Sequence, residues 1–214
     1  MAARSENIVP QSFYDRDPRI VARELLGKIL VRTLSRGAKA TRLAGRIVEV
    51  EVYLGKGDLA AHAAAGKTER NQVLFGPPGH AYIYFIYGVH YCLNFSCMPE
   101  GSAGSVLLRA LEPLEGVEEM ARSRGLSADR LQTISGMRLL TSGPGRLCEA
   151  FGITRKNFNG QKLYVPSSRL RVVSDGFKPD VVGETQRIGI TKSSEMPLRY
   201  VLEGNAFVSG RRQS

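Results

Sequence analysis

The sequence predicts an α+β domain, a largely antiparallel β-sheet with helices around it and one protruding β-hairpin, and three observations carry that prediction. Apolar and polar residues alternate strictly over residues 48–53, the period of a strand and not of a helix. Two further β runs, AYIYFIY and VHYCLNFS, meet at Gly88 and read as a hairpin that turns there. Strands at the start of the chain follow one another across a short polar loop, which favours antiparallel pairing. The 214 residues suit one domain over 11–209, with flexible tails at 1–10 and 210–214; a domain of this size buries on the order of 70% of its unfolded surface.

In chain order, residues 12–26 carry Ile20, Val21, Leu25 and Leu26 at helical spacing behind Asp17 and Pro18, so a capped helix is expected, stopped by Gly27. KILVRTL (28–34) and GRIVEVEVYL (45–54) are strands around a basic turn. On the second, Val48, Val50 and Val52 face one way and Glu49, Glu51 and Tyr53 the other. Residues 55–79 are rich in Gly, Ala and Pro: a long loop, of the kind that is more often functional than idle, with a short helix at 59–65. SVLLRALEP is an apolar strand with Arg109 set in its middle, and a charge there needs a partner. A helix is expected at 114–124, followed by a polar, irregular stretch. Ser142 then caps a helix over GPGRLCEAFGI, whose glycine-lined entrance leaves backbone N–H groups suited to a phosphate, plain capping being the simpler reading. Asn159-Gly160 signals a hairpin between Phe158 and LYV, and RLRVV, RIGIT and LRYVL read as strands.

Thirty Lys and Arg against 20 Asp and Glu, a net charge of +10, point to a polyanionic partner. The longest nearly apolar runs fall far short of the ~20 residues of a membrane span, and no basic amphipathic helix is evident, which favours nucleic acid over membrane. The N-terminus lacks the apolar core of a signal peptide, and Cys92, Cys97 and Cys148 form no CxxC pair; a cytoplasmic protein with reduced thiols is expected. His62, His80 and His90 lack metal-binding spacing, so no metal is expected. Two carboxylates and a phenol on one strand face, followed by a hairpin bearing Tyr82, Tyr84, Tyr87 and Tyr91, point to an enzyme that inserts an aromatic wedge into nucleic acid beside a buried acid or base. The simpler alternative is a solvated strand face, with tyrosines in the strands they favour.

GRIVEVEVYLGKGDLAAH, Thr68, Arg70 and Asn71 of TERN, YIYFIYG, VLLRALEP, SGPGRLC, and RIGI followed by PLRY occur in the order found in the alkyladenine (3-methyladenine) DNA glycosylase family, which the chain resembles over about residues 13–209. That resemblance implies a curved sheet, a monomer acting on double-stranded DNA without cofactor, and base excision of damaged purines flipped out of the duplex. It implies Glu51 as the base that deprotonates the attacking water, with Arg109 and the Ile188 carbonyl holding that water. Tyr53 and Tyr84 become the walls that stack the flipped base, His62 a contact on its edge, and Asn94 the residue that discourages the exocyclic amine of guanine. Tyr87 becomes the wedge that fills the vacated stack. Glu49 is expected to be structural and Asp58 to order its loop; no lysine is placed as a Schiff-base nucleophile, so hydrolysis without strand cleavage is expected. Residues 123–137 match the family poorly, and Val52, Ala63, Ala64, Ala65 and Leu74 leave the range of lesions open. Two other classes remain: a binding module that recognises distorted duplex without chemistry, and a tRNA-binding domain like that of formyltransferases.

Overall fold

One long strand, β2 (Lys39–Tyr53), organises the computed structural model, which describes residues 7–36 and 39–210. Its first half pairs with β1 (Ile29–Arg36), and beyond Ile47 the same edge is taken over by β8 (Arg199–Leu202). The other edge pairs from Ala44 to Tyr53 with β5 (Gly104–Glu115). The sheet runs β3 (Ala81–Ile86), β4 (His90–Cys97), β5, β2, β1, β6 (Leu170–Val173), with β7 (Val182–Thr185) added to β8, and every pairing among these is antiparallel. The handover at Ile47 depends on Gly27, whose φ of +86° turns the chain into β1 and whose N–H bonds the Ile47 carbonyl.

Register slips against β5 curve the sheet. Ile47 pairs with Leu111 and Glu49 with Ala110, so Val48 is an extra residue on β2; Val50 then pairs with Leu108, so Arg109 is an extra residue on β5. Bulges of this kind bend a strand and re-aim side chains. Here the two lie on either side of the Glu49–Ala110 pair.

The helices α2 (Pro18–Leu25), α3 (Val117–Ser123), α4 (Ile134–Thr141) and α5 (Pro144–Ala150) pack on β2, β4 and β5, burying Val21, Leu25, Met120, Leu140, Leu147 and Phe151 against Val48, Val50, Leu108 and Phe95. Asp17 caps α2 by accepting the Arg19 N–H at 2.8 Å, as its sequence implied. The helix expected over 12–26 is two, α1 (Gln11–Tyr14) and α2, and Ile20 faces solvent. Residues 1–6 and 211–214 lie outside the described residues; of the expected N-terminal tail, Ile8 bridges Val173 and Val9 is buried.

Other local expectations are corrected. Residues 59–65 form successive turns instead of a helix. The stretch 114–124 starts its helix at Val117 because β5 extends to Glu115. The irregular stretch after it holds a 3₁₀ turn at Ala128–Gln132 and the start of α4. Asn159-Gly160 does not turn a hairpin: α6 (Arg155–Phe158) ends there, and Asn159 Oδ1 accepts the Ile83 N–H on β3. RIGIT is loop, its backbone spent on the site described next, and the strand is the preceding Val182–Thr185. Ser142 does not cap α5; its hydroxyl donates to the Phe207 carbonyl.

Candidate active site

Glu49 and Glu51 are fully buried, so the solvated-face alternative fails. Burial of a carboxylate is tolerable only with charge and hydrogen-bond partners, and Glu51 has three. Its Oε1 is ion-paired with Arg109 Nη1 at 3.0 Å and accepts from the Ile188 N–H at 2.7 Å, and its Oε2 accepts from the Tyr53 hydroxyl at 3.0 Å. An ionised carboxylate offers about four acceptor sites, so one remains. Arg109 reaches Glu51 because the β5 bulge turns it inward, and its other edge donates through Nε to Glu49 at 2.9 Å. The resemblance assigned the Ile188 carbonyl to the water; the group of Ile188 that meets Glu51 is its N–H.

Glu51 stands just behind the wall of a cavity of about 630 Å³, whose lining includes its three donors. A cluster of rings stands in that lining, among small and aliphatic residues and the segment Ser142–Arg146. Tyr53, Tyr82, Tyr84, His62 and Asn94 all face it, as do Tyr87 and Cys92. Tyr53 and Tyr84 are held in their protonated form, the first by burial and then by the adjacent Glu51, the second by burial and then by Cys92, its cross-strand partner. The His62 ring packs edge-on against Tyr84 at 4.5 Å, and its Nδ1 is hydrogen-bonded to the Tyr82 hydroxyl at 3.0 Å. Asn71 of the TERN motif fixes the loop that presents it, donating to the His62 and Gly66 carbonyls, both at 2.9 Å. Asn94 is buried, its amide 3.5 Å from the Tyr82 carbonyl.

At the cavity mouth the hairpin turns at Tyr87 and Gly88, both left-handed at φ +53° and +69°. Glycine takes that conformation freely and a bulky aromatic does not. Tyr87 is nevertheless there, 80% exposed, with exposed Phe85 and Val89 beside it. A strained, solvent-facing aromatic at a turn marks a position where the ring is wanted outside the fold.

The methylpurine-DNA glycosylase family model matches residues 12–206. The chain belongs to that family. Three relatives, each named "Putative 3-methyladenine DNA glycosylase", align along nearly the whole chain. The protein of Koribacter versatilis is 58% identical over 204 residues, covering 95% of this chain and 94% of its own. That of Methanoculleus marisnigri is 44% identical over 205 residues, covering 95% and 99%. That of Nitrosospira multiformis is 46% identical over 189 residues, covering 88% and 87%.

In this glycosylase fold three residues that the sequence reading did not single out surround the carboxylates. Arg199 Nε donates to Glu49 at 2.7 Å, and Ser209 donates to it through both N–H, at 2.5 Å, and hydroxyl, at 2.9 Å. Arg187 forks onto Asp58 at 2.6 and 2.8 Å and lies 4.8 Å over the Tyr53 ring. Burial pushes the Glu49 carboxyl up, but Arg109 and then Arg199 outweigh it and hold it below the usual carboxylate range. Asp58 is likewise held low: burial pushes it up, but the hydrogen bonds from Arg187 and from the Leu54 and Ala60 N–H groups, with the charge of Arg187, together outweigh it. A lone arginine within an apolar or β-branched run was the available signal for Arg199, as it was for Arg109; Ser209 carried none. Among the described residues no group of three or more His, Cys, Asp or Glu is arranged to hold a metal, and no helix is long and apolar enough to cross a membrane.

Proposed function

We propose that this glycosylase extrudes alkylated or deaminated purines, such as 3-methyladenine, 7-methylguanine, hypoxanthine and ethenoadenine, from double-stranded DNA and hydrolyses their N-glycosidic bond, starting base excision repair. What supports the reading best is the juxtaposition of a buried, incompletely saturated carboxylate with an aromatic cavity wide enough for a purine. Small-ligand sites span ~300–1,000 Å³, which brackets this cavity.

The flipped base stacks on Tyr53 and Tyr84, with His62 at its edge. Tyrosine faces favour a cationic purine by roughly 0.5 to 2 kcal/mol per contact. Water on the fourth acceptor site of Glu51, steadied by Arg109 and the Ile188 main chain, attacks the sugar C1′ from the side opposite the base. The C1′–O bond forms as the C1′–N9 bond breaks. Glu51 takes the water proton, and the purine leaves with the bonding electron pair, neutral if it was cationic. Inversion at the sugar and no covalent enzyme adduct follow. Glu49 is excluded as an acid for neutral purines, since two arginines keep it ionised. Tyr87 enters the vacated stack, and the surplus positive charge holds the phosphates of DNA bound by a monomer without cofactor.

The test is single-turnover base release from duplexes carrying hypoxanthine, ethenoadenine or no lesion, with wild type and Glu51→Gln. Release from lesion strands by wild type alone is expected. Tight lesion binding without release by either protein would replace the enzyme with a binding module, and borohydride trapping of an adduct would overturn the water mechanism.

A further inference from the structure

Glu49 is a fully buried carboxylate that the mechanism above does not use, and it gathers more donors than Glu51 does. Its Oε1 accepts from Arg109 Nε, Arg199 Nε and the Ser209 hydroxyl at 2.9, 2.7 and 2.9 Å, and its Oε2 accepts from the Ser209 N–H at 2.5 Å. Arg199 is fixed in turn by Thr185 Oγ1 at 2.8 Å and the Ser209 carbonyl at 3.2 Å. Ser209 therefore meets the cluster through its N–H, its carbonyl and its hydroxyl, the last also 3.5 Å from Arg109 Nη2.

The consequence lies in how Arg109 presents itself. A guanidinium left to itself pairs with a carboxylate through two parallel hydrogen bonds. Here Nε is taken by Glu49 and Nη2 is directed to the Ser209 hydroxyl at 3.5 Å, which leaves Nη1 facing Glu51 at 3.0 Å. We propose that Glu49, Arg199 and Ser209 are positioning residues that hold Arg109 in a one-sided ion pair with Glu51, keeping one acceptor site of Glu51 open to water. The inference rests on the glycosylase reading and adds to it a role for the end of the chain. Residues 205–209 are moored for that role. Asn205 donates to Glu112 at 3.0 Å and accepts the Phe207 N–H, Arg138 donates to the Ala206 carbonyl, and Ser142 to that of Phe207 at 2.7 Å. The four formal charges of Glu49, Glu51, Arg109 and Arg199 cancel, and Ser209 adds neutral donors without disturbing that balance.

The experiment is single-turnover release of hypoxanthine as enzyme concentration is raised, which separates the maximal rate from half-saturation. It uses the full chain with Ser209→Ala, Ser209→Thr and Glu49→Gln. Misplacing a reacting group by about 1 Å costs ~10²-fold, so Glu49→Gln should lower the maximal rate by about that factor with half-saturation unchanged within about twofold. Loss of one hydrogen bond to a charged group predicts a roughly tenfold lower maximal rate for Ser209→Ala. Ser209→Thr, which keeps the hydroxyl, should restore it. A merely structural role would lower thermal stability and leave the maximal rate of the folded protein as in wild type. If Glu49→Gln does not fold, Ser209→Ala and its threonine rescue decide. Wild-type maximal rates in Ser209→Ala, or equal loss in Ser209→Ala and Ser209→Thr, would overturn this inference alone. Absence of release by wild type would overturn the glycosylase reading and this inference with it.

Discussion

The two sides of the cavity are built on opposite principles. On the β2–β5–β8 side, Glu49, Glu51, Arg109 and Arg199 are buried and ion-paired, each carboxylate holding three or four donors. On the β3–β4 side, Tyr82, Tyr84 and His62 present rings of no formal charge, and the wall ends in a tyrosine that is 80% exposed. The first arrangement has little freedom left, because moving any member strands a buried charge. The second is a surface awaiting a partner. Fixed charges suit a step in which a proton moves, whereas exposed aromatics suit recognition of a base that must first leave its stack.

The largest effect expected from separating the two sides is Glu51→Gln. General bases contribute ~10²–10⁴-fold, so the single-turnover rate should fall by that factor while lesion-duplex affinity changes less than about twofold. Equal loss of rate and affinity would show that the charged side also binds DNA, and the comparison would break.

The mirror experiment is Tyr87→Gly. Base–aromatic stacking is worth ~1–3 kcal/mol, so affinity for lesion duplex should fall between about fivefold and 150-fold, measured by titration. Stability should hold or rise, because glycine accepts the left-handed turn at no steric cost. A fall in the melting temperature would mean that Tyr87 supports the fold.

These two sides also differ in how far the sequence disclosed them. Strict alternation placed Glu51 and Tyr53 on one face, and the hairpin around Gly88 put Tyr87 at its tip; both are local signals of period two and a turn glycine. The motif match then put names on residues that pattern alone left ambiguous. What stayed hidden depends on long-range pairing. The handover of β2 from β1 to β8 brings Arg199 beside Glu49 from 150 positions away, and the bulge that aims Arg109 is a mismatch between two strands, visible in neither. RIGIT looked like a strand because its apolar alternation is real, yet Arg187 is spent on Asp58 and the Ile188 N–H on Glu51. A backbone donor committed to a carboxylate is lost to a sheet ladder.

The smallest effect sharpens the claim that the aromatic side is kept neutral. His62 stands at the cavity mouth, open on one side and packed against Tyr82 and Tyr84 on the other. Burial first, and then the positive charge of Arg70, hold its pKa below the ordinary histidine value. Both causes disfavour the imidazolium, so the ring is neutral at pH 7 and does not repel a cationic purine. Removing Arg70 removes the second cause and leaves the first. Arg70→Gln should therefore move the His62 titration upward while keeping it below that of a free histidine, a small effect because the removed charge is exposed and screened. Titration of the His62 Cε1–H resonance by NMR reads this directly. A His62 that titrates above the ordinary histidine value in wild type would place a positive charge against the base, and the proposed binding of cationic lesions would lose its electrostatic basis. If instead His62 moves as expected, excision of 7-methylguanine by Arg70→Gln should decline at a higher pH than in wild type, while excision of neutral ethenoadenine changes less.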